Sequence, residues 1–229
     1  MPKSSRNYSS AAMSVLPNTS ETDLGLIRSL RIQPLLVVLR PEPIDLEAVF
    51  FTTRLCRQLD QLVEAGVQHV EIAWIEHPRW PDLVIAARSR HPFLSLGAAS
   101  ITQQSALQQV AELGFSYAMS PLLDRELQQR AKQLDFLLVP GVMTPSEIRQ
   151  ACDLGCRLVK LFPASVLGRS FHRQIAAPMG DLPFMIAAGG LRAGDLYSWL
   201  DAGYDAIALG RTVFENNDFD PSLAAWIGA

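Results

Sequence analysis

This chain has little cysteine, no long apolar run, no basic cluster and few charges, and each shortage excludes a class. Three cysteines, Cys56, Cys152 and Cys156, in 229 residues cannot form a disulfide framework. Cys152 and Cys156 stand at helical spacing, but no histidine or third cysteine lies near enough to complete a zinc site, so the reading is buried thiols in a reducing compartment, the cytoplasm. No apolar stretch reaches the roughly 18–20 residues that a membrane span requires. The formal net charge of −3, without a basic stripe, argues against a non-specific grip on nucleic acid. Residues 1–20 are rich in serine and lack the apolar segment of a secretory signal; they read as a flexible leader.

The rest of the sequence carries a large core: 48% of residues are hydrophobic and only 19% are charged. Short, branched apolar runs alternate with longer amphipathic ones. Strands are expected at Pro34–Leu39, Val67–Trp74, Phe93–Leu96, Ser116–Met119, Phe136–Val139, Arg157–Phe162, Phe184–Ala187 and Ala206–Leu209. Helices are expected between them, over Leu46–Ala65, Pro81–Arg90, Gln103–Leu113, Asp124–Gln133, Pro145–Leu154, Phe171–Ala177 and Ala193–Ala202, with a last one opening at Thr212–Glu215. Several stop at a glycine, as at Gly66, Gly114, Gly155 and Gly203. Strand-then-helix alternation implies parallel pairing through right-handed crossovers. Eight such units predict a single α/β domain over residues 21–229, a (β/α)8 TIM barrel, with a doubly wound open sheet as the alternative. An N-terminal helix, about Glu21 to Leu30, is expected to plug or cap the barrel bottom.

Barrel enzymes carry their chemistry at the carboxyl ends of strands. The unusual residue there is Lys160, inside the apolar run CRLVKLFPAS. A buried lysine is rare without a partner or a task. Desolvation favours its neutral amine, which can attack a carbonyl and form an iminium, an electron sink for C–C chemistry. The plainer alternative is a packed stem with the ammonium escaping to the rim. Glu71 in VEIAW alternates with Val70 and Ile72 and points into the barrel if the register holds. It is read either as a proton carrier or as a structural ion-pair partner. Arg40 ends the first strand and suits a carboxylate, or a salt bridge at the barrel mouth. Gly189-Gly190 and Gly210-Arg211 end the last two strands, the usual phosphate-binding place of such barrels, although tight turns alone would use the same glycines. Ser100 and Thr144 lie on strand–helix loops, within reach of a substrate. Trp74 faces either the mouth or a neighbouring helix. The four histidines show no metal-ligand spacing.

Together these motifs resemble the 2-keto-3-deoxy-6-phosphogluconate / 4-hydroxy-2-oxoglutarate aldolase family, from about Leu30 to Phe214. VKLFPAS is similar to the family's Schiff-base motif and VEIAW to its glutamate motif; Gly97–Ser100, Ser120-Pro121, Pro140-Gly141 and Gly189-Gly190 follow in family order. Leu39-Arg40, Pro78–Trp80 and Phe162–Ser165 look most like the 2-dehydro-3-deoxy-6-phosphogalactonate aldolase branch. The resemblance implies a carbon–carbon lyase of class I, without metal or cofactor. It cleaves a 2-keto-3-deoxy-6-phospho sugar acid, or 4-hydroxy-2-oxoglutarate, to pyruvate and an aldehyde, and it assembles as a homotrimer. It implies Lys160 and Glu71 as catalytic residues, with Arg40, Ser100, Pro121, Phe162, Gly189, Gly190, Gly210 and Arg211 binding the carboxylate and phosphate of the substrate. Five positions depart from the family pattern: Ile75 where an arginine is expected, Ala99 for a glycine, Ser100 for a threonine (which keeps the hydroxyl), Ala188 for a threonine and Arg211 for a serine. A phosphate-binding barrel enzyme of another class, or a non-catalytic sugar-acid-binding barrel, are the competing readings.

Overall fold

The computed structural model describes residues 21–215 and 218–228. The leader expected over residues 1–20 lies outside them. The described residues open with α1 (Glu21–Ile32) and β1 (Leu35–Leu39), and continue through α2 (Pro43–Glu47), α3 (Arg54–Glu64), β2 (His69–Ala73), α4 (Trp80–Arg90) and β3 (Ser95–Ala99). Next come α5 (Gln104–Glu112), β4 (Tyr117–Met119), α6 (Arg125–Gln133), β5 (Leu138–Val139), β6 (Gly141–Val142), α7 (Pro145–Asp153) and β7 (Leu158–Leu161). The last third holds α8 (Ala164–Leu167), α9 (Phe171–Met179), β8 (Phe184–Ala188), α10 (Leu196–Asp201), β9 (Ala206–Leu209), β10 (Phe214–Glu215), β11 (Asp218–Phe219) and α11 (Pro221–Ile227).

The main sheet is wholly parallel, in the order β5-β4-β3-β2-β1-β9-β8-β7-β6. β5 and β6 are two halves of one strand interrupted at Pro140, which has no N–H to give a ladder. β5 pairs with β4, and β6 with β7, so this split fifth strand closes the ring into a (β/α)8 barrel. The open-sheet alternative is thereby set aside. Gly141 is required here, because a Cβ on it would lie 2.8 Å from the Leu122 backbone nitrogen and closer still to Pro121.

Alternation along each strand divides two apolar layers. Val37, Val70, Ile72, Val159, Leu161, Met185 and Ile207 face the helices and pack on residues such as Leu55, Leu59, Leu107 and Leu196. Leu36, Tyr117, Met119, Val139, Leu158, Phe184, Ile186 and Ala206 fill the barrel, and Leu26, Ile27 and Leu30 of α1 pack against them. The N-terminal helix thus plugs the bottom, as its apolar stripe predicts. Its Ser29 Oγ lies 2.9 Å from Nε2 of the buried His69.

Several expected boundaries are corrected. The helix read over Leu46–Ala65 is two helices, α2 and α3, with a 3-10 turn at Phe50–Thr52 between them. Ala48 is extended, and Thr53 starts α3 afresh by accepting the Cys56 N–H on its hydroxyl. The buried Asp45 joins the pieces, accepting from Arg54 at 3.2 Å and from the Leu55 N–H at 3.3 Å. The third strand is Ser95–Ala99 rather than Phe93–Leu96, so Gly97 is a strand residue and not part of a turn; Phe93 is fully exposed. In place of a helix over Thr212–Glu215, the chain forms a 3-10 turn at Arg211–Val213 and then the β10–β11 pair, and the last described helix is α11. Of the three thiols, Cys152 is exposed, which corrects the expectation that all are buried. Among the described residues, no helix is long and apolar enough to cross a membrane, and no three His, Cys, Asp or Glu side chains gather as a metal site.

Candidate active site

At the carboxyl-end mouth of the barrel lies a cavity of about 370 Å³. All ten site residues expected from the sequence line it: Arg40, Glu71, Ser100, Pro121, Lys160, Phe162, Gly189, Gly190, Gly210 and Arg211. Two larger hollows, of about 560 and 450 Å³, open elsewhere on the surface and are bordered by the amino-terminal ends of β7 and β3. Neither brings a buried lysine and carboxylate together.

Lys160 projects inward from β7, between Leu158 and Phe162 on the same face. It is 7% exposed, and its Nζ stands 5.4 Å from the centre of the Phe162 ring. Its ammonium is lowered to about 8, chiefly by burial, with Glu71 opposing the shift and Arg40 adding to it. Glu71 is 1% exposed on β2, and its Oε1 has no hydrogen-bond partner within the protein. Burial raises its carboxyl to about 7, against the pull of Lys160 and Arg40. The two groups therefore share a water-poor site in which a neutral amine and a protonated carboxyl are both accessible near neutral pH. A buried carboxyl that lines a cavity beside a buried lysine is poised for something that enters the cavity.

Arg40 sits at the rim, where its Nη1 donates to Ser100 Oγ at 3.1 Å. It is held from behind, for Arg54 Nη2 donates to the Arg40 carbonyl at 3.0 Å and also pairs with Asp45. Ser100 has φ of 66°, a left-handed conformation uncommon for a non-glycine residue, which turns its hydroxyl to the mouth. On the opposite side, Gly189 and Gly190 have φ of 93° and 77°. A Cβ on Gly189 would meet the Phe162 ring at 2.9 Å, and one on Gly190 would meet Ser165 Cβ at 2.8 Å. Only glycine allows the loop after β8 to pass this close to the segment after β7. With Gly210, Arg211 and Ser165 they give the mouth an anion-accepting side.

The structure also answers the sequence at smaller points. Thr144 does not reach the cavity: it caps α7, accepting the Glu147 N–H at 3.2 Å. Trp74 faces a helix, its Nε1 donating to Gln109 Oε1 of α5 at 2.8 Å. Ile75 packs on the helix-side core, so Arg40 is the arginine beside Lys160 and Glu71. His77 accepts from the Arg79 N–H. Ser165 and Thr212, absent from the expected set, also line the cavity; the phosphate-type loops could have drawn attention to them as the hydroxyls next to Gly190 and Arg211.

Comparison with known proteins adds a second line. A family model for KDPG and KHG aldolases matches residues 44–222. The chain is 25% identical over 154 residues, 67% of its length, to the 2-dehydro-3-deoxy-6-phosphogalactonate aldolase of Escherichia coli (strain K12), of which the match covers 75%. In fold it is similar to the 2-keto-3-deoxy-6-phosphogluconate aldolase of Zymomonas mobilis ZM4 with 3-phosphoglycerate (TM-score 0.70, 22% identity, 88% of this chain and 92% of that one). It is also similar in fold to the KDPG aldolase of Legionella pneumophila, in which pyruvate is captured as a covalent carbinolamine (TM-score 0.69, 18% identity, 85% and 91%). With most of its length matched by that family model, the chain belongs to the KDPG and KHG aldolase family, and is a carbon–carbon lyase acting on a small molecule.

Proposed function

We propose that the protein is a class I aldolase that cleaves a 2-keto-3-deoxy-6-phospho sugar acid to pyruvate and glyceraldehyde 3-phosphate through a Schiff base on Lys160. The observation that carries this reading is the buried Lys160–Glu71 pair facing one cavity, with Arg40 on one side and the glycine loops on the other. The substrate carboxylate is held by Arg40 and Ser100, and the distal phosphate by the Gly189-Gly190 loop, Gly210, Ser165 and Arg211. Pro121 and Phe162 wall the cavity between them.

The neutral Lys160 amine adds to the C2 carbonyl, forming a carbinolamine. Glu71 in its acid form protonates the departing hydroxyl, and water leaves with formation of the iminium. The Glu71 carboxylate then accepts the C4 hydroxyl proton as the C3–C4 bond breaks. The bonding pair flows into the iminium, giving an enamine and the free aldehyde. Glu71 returns the proton to C3, and water hydrolyses the resulting pyruvate iminium, freeing pyruvate and Lys160. A single carboxyl can serve both proton directions because burial places it near neutrality. The lysine supplies the electrophilic activation, so the scheme needs no metal or cofactor. A pyruvate carbinolamine, the species captured in the Legionella aldolase, stands in this scheme at the last step, between the pyruvate iminium and free pyruvate. 4-Hydroxy-2-oxoglutarate, with a carboxylate in place of the distal phosphate, fits the same scheme as a shorter substrate.

The test is pyruvate release from gluco- and galacto-configured phospho sugar acids and from 4-hydroxy-2-oxoglutarate, with a chelator present. The expected result is chelator-insensitive turnover of at least one phosphorylated acid, abolished in Lys160→Ala. Activity lost to the chelator and retained by Lys160→Ala would exclude the scheme. The active particle is proposed to be a homotrimer, as the sequence resemblance implies; a sedimenting mass of one chain with full activity would reject that.

A further inference from the structure

The barrel interior holds a polar group that the chemistry above does not use. Glu71 on β2, Gly97 on β3 and Tyr117 on β4 stand in register across three adjacent strands, all on the inward face. Gly97 has no side chain, and the Tyr117 ring fills the space its Cβ would occupy; a Cβ there would lie 2.8 Å from the Tyr117 hydroxyl oxygen and nearer still to ring atoms. The phenol therefore reaches across Gly97 toward the strand that bears Glu71. Tyr117 is 1% exposed, and its hydroxyl has no hydrogen-bond partner within the protein, just as Glu71 Oε1 has none. Two complementary orphan groups, a donor and an acceptor, thus lie in one layer of a closed barrel. Burying an unpartnered hydroxyl is costly, and phenylalanine would fill the same space without that cost.

We propose that Tyr117 is a positioning residue for Glu71: its hydroxyl, set over Gly97, donates to one buried water that in turn donates to Glu71 Oε1, and so fixes the orientation and proton affinity of the carboxyl. Lys160 from β7 and Arg40 at the end of β1 act on the Glu71 charge, Tyr117 from β4 senses it, and His69 lies two residues earlier on the same strand. Lys160 and Arg40 serve the substrate as well. Tyr117 has Glu71 alone among the ionisable groups as its neighbour in this layer.

The inference rests on the proposed role of Glu71, and its test is arranged to separate the two. In Tyr117→Phe, the titration of Glu71 is followed by 13C NMR of glutamate-labelled protein, with Glu71→Gln identifying the signal. Loss of a donor to the charged form raises the titration midpoint, by roughly half a unit to one unit for a hydrogen bond of ordinary strength. The acid limb of the kcat profile moves the same way, and kcat at neutral pH falls roughly three- to tenfold with KM nearly unchanged. Circular dichroism checks that the variant is folded. An unmoved or lowered Glu71 midpoint, or an unmoved kcat profile in an active enzyme, overturns the inference. If the wild-type protein releases no pyruvate, the proposed chemistry fails, and the NMR titration, which needs no substrate, still decides whether Tyr117 holds Glu71.

Discussion

At the scale of single residues, Lys160 and Glu71 set each other's protonation. Burial works in opposite directions on the two, lowering the lysine to about 8 and raising the carboxyl to about 7. Both shifts favour the neutral forms, and the mutual attraction opposes both. In Glu71→Gln the negative charge that keeps a proton on Lys160 is gone, while burial and Arg40 still disfavour the ammonium. The pH at half-maximal rate of pyruvate trapping on Lys160 is therefore expected to fall below about 8, even as the maximal rate drops. A half-point that stays in place or rises would mean that the two side chains do not sense each other. Lys160 was legible because a lysine inside LVKLF breaks an apolar run, and Glu71 because strand alternation gave its direction. Tyr117 was not, because an aromatic residue in a strand reads as ordinary core. Only the register of β2, β3 and β4 shows that its neighbour on the inward face is a glycine.

At the scale of elements, the loops matter more than the strands. The pairing of eight strand positions with helices was readable from the apolar periodicity, since a buried parallel strand is a short continuous run and its helix an amphipathic one. What the sequence hid was local. Thr53 looks like an interior residue of one long helix until its hydroxyl is seen capping α3, and the strand that ends at Val139 in the sequence resumes beyond Pro140 as β6. The joint at Thr53 has a consequence for the mouth, because it places Arg54 between Asp45 and the Arg40 carbonyl. Arg54→Met removes that brace and leaves the buried Asp45 carboxylate without its cation. It is expected to cost about 1–3 kcal/mol of stability in urea unfolding. The KM for the 2-oxo acid should rise several-fold, since Arg40 loses its anchor, while kcat changes little. An unchanged KM would show that the Arg40 segment holds its place without Arg54.

At the scale of the molecule, the barrel separates stability from chemistry along its axis. The bottom is closed by α1, whose Leu30 is fully buried among Leu36, Leu158 and Phe184, and the mouth carries the polar residues. Leu30→Ala is therefore expected to destabilise the protein by about 2–5 kcal/mol, read as a lower thermal midpoint, with kcat per folded molecule retained. Loss of kcat in fully folded protein would show that the plug is coupled to the site. The mouth is where the chain departs from its family pattern, at Ala99, Ala188 and Arg211, and there the fold alone does not name the sugar acid. The lysine at the other side of the cavity is a sharper target. The most direct measurement is mass spectrometry after borohydride reduction in the presence of pyruvate. One added pyruvate-derived group per chain is expected, on the peptide containing Lys160, absent in Lys160→Ala and absent without reductant. A folded, unmodified protein, or an adduct on another lysine, would contradict it.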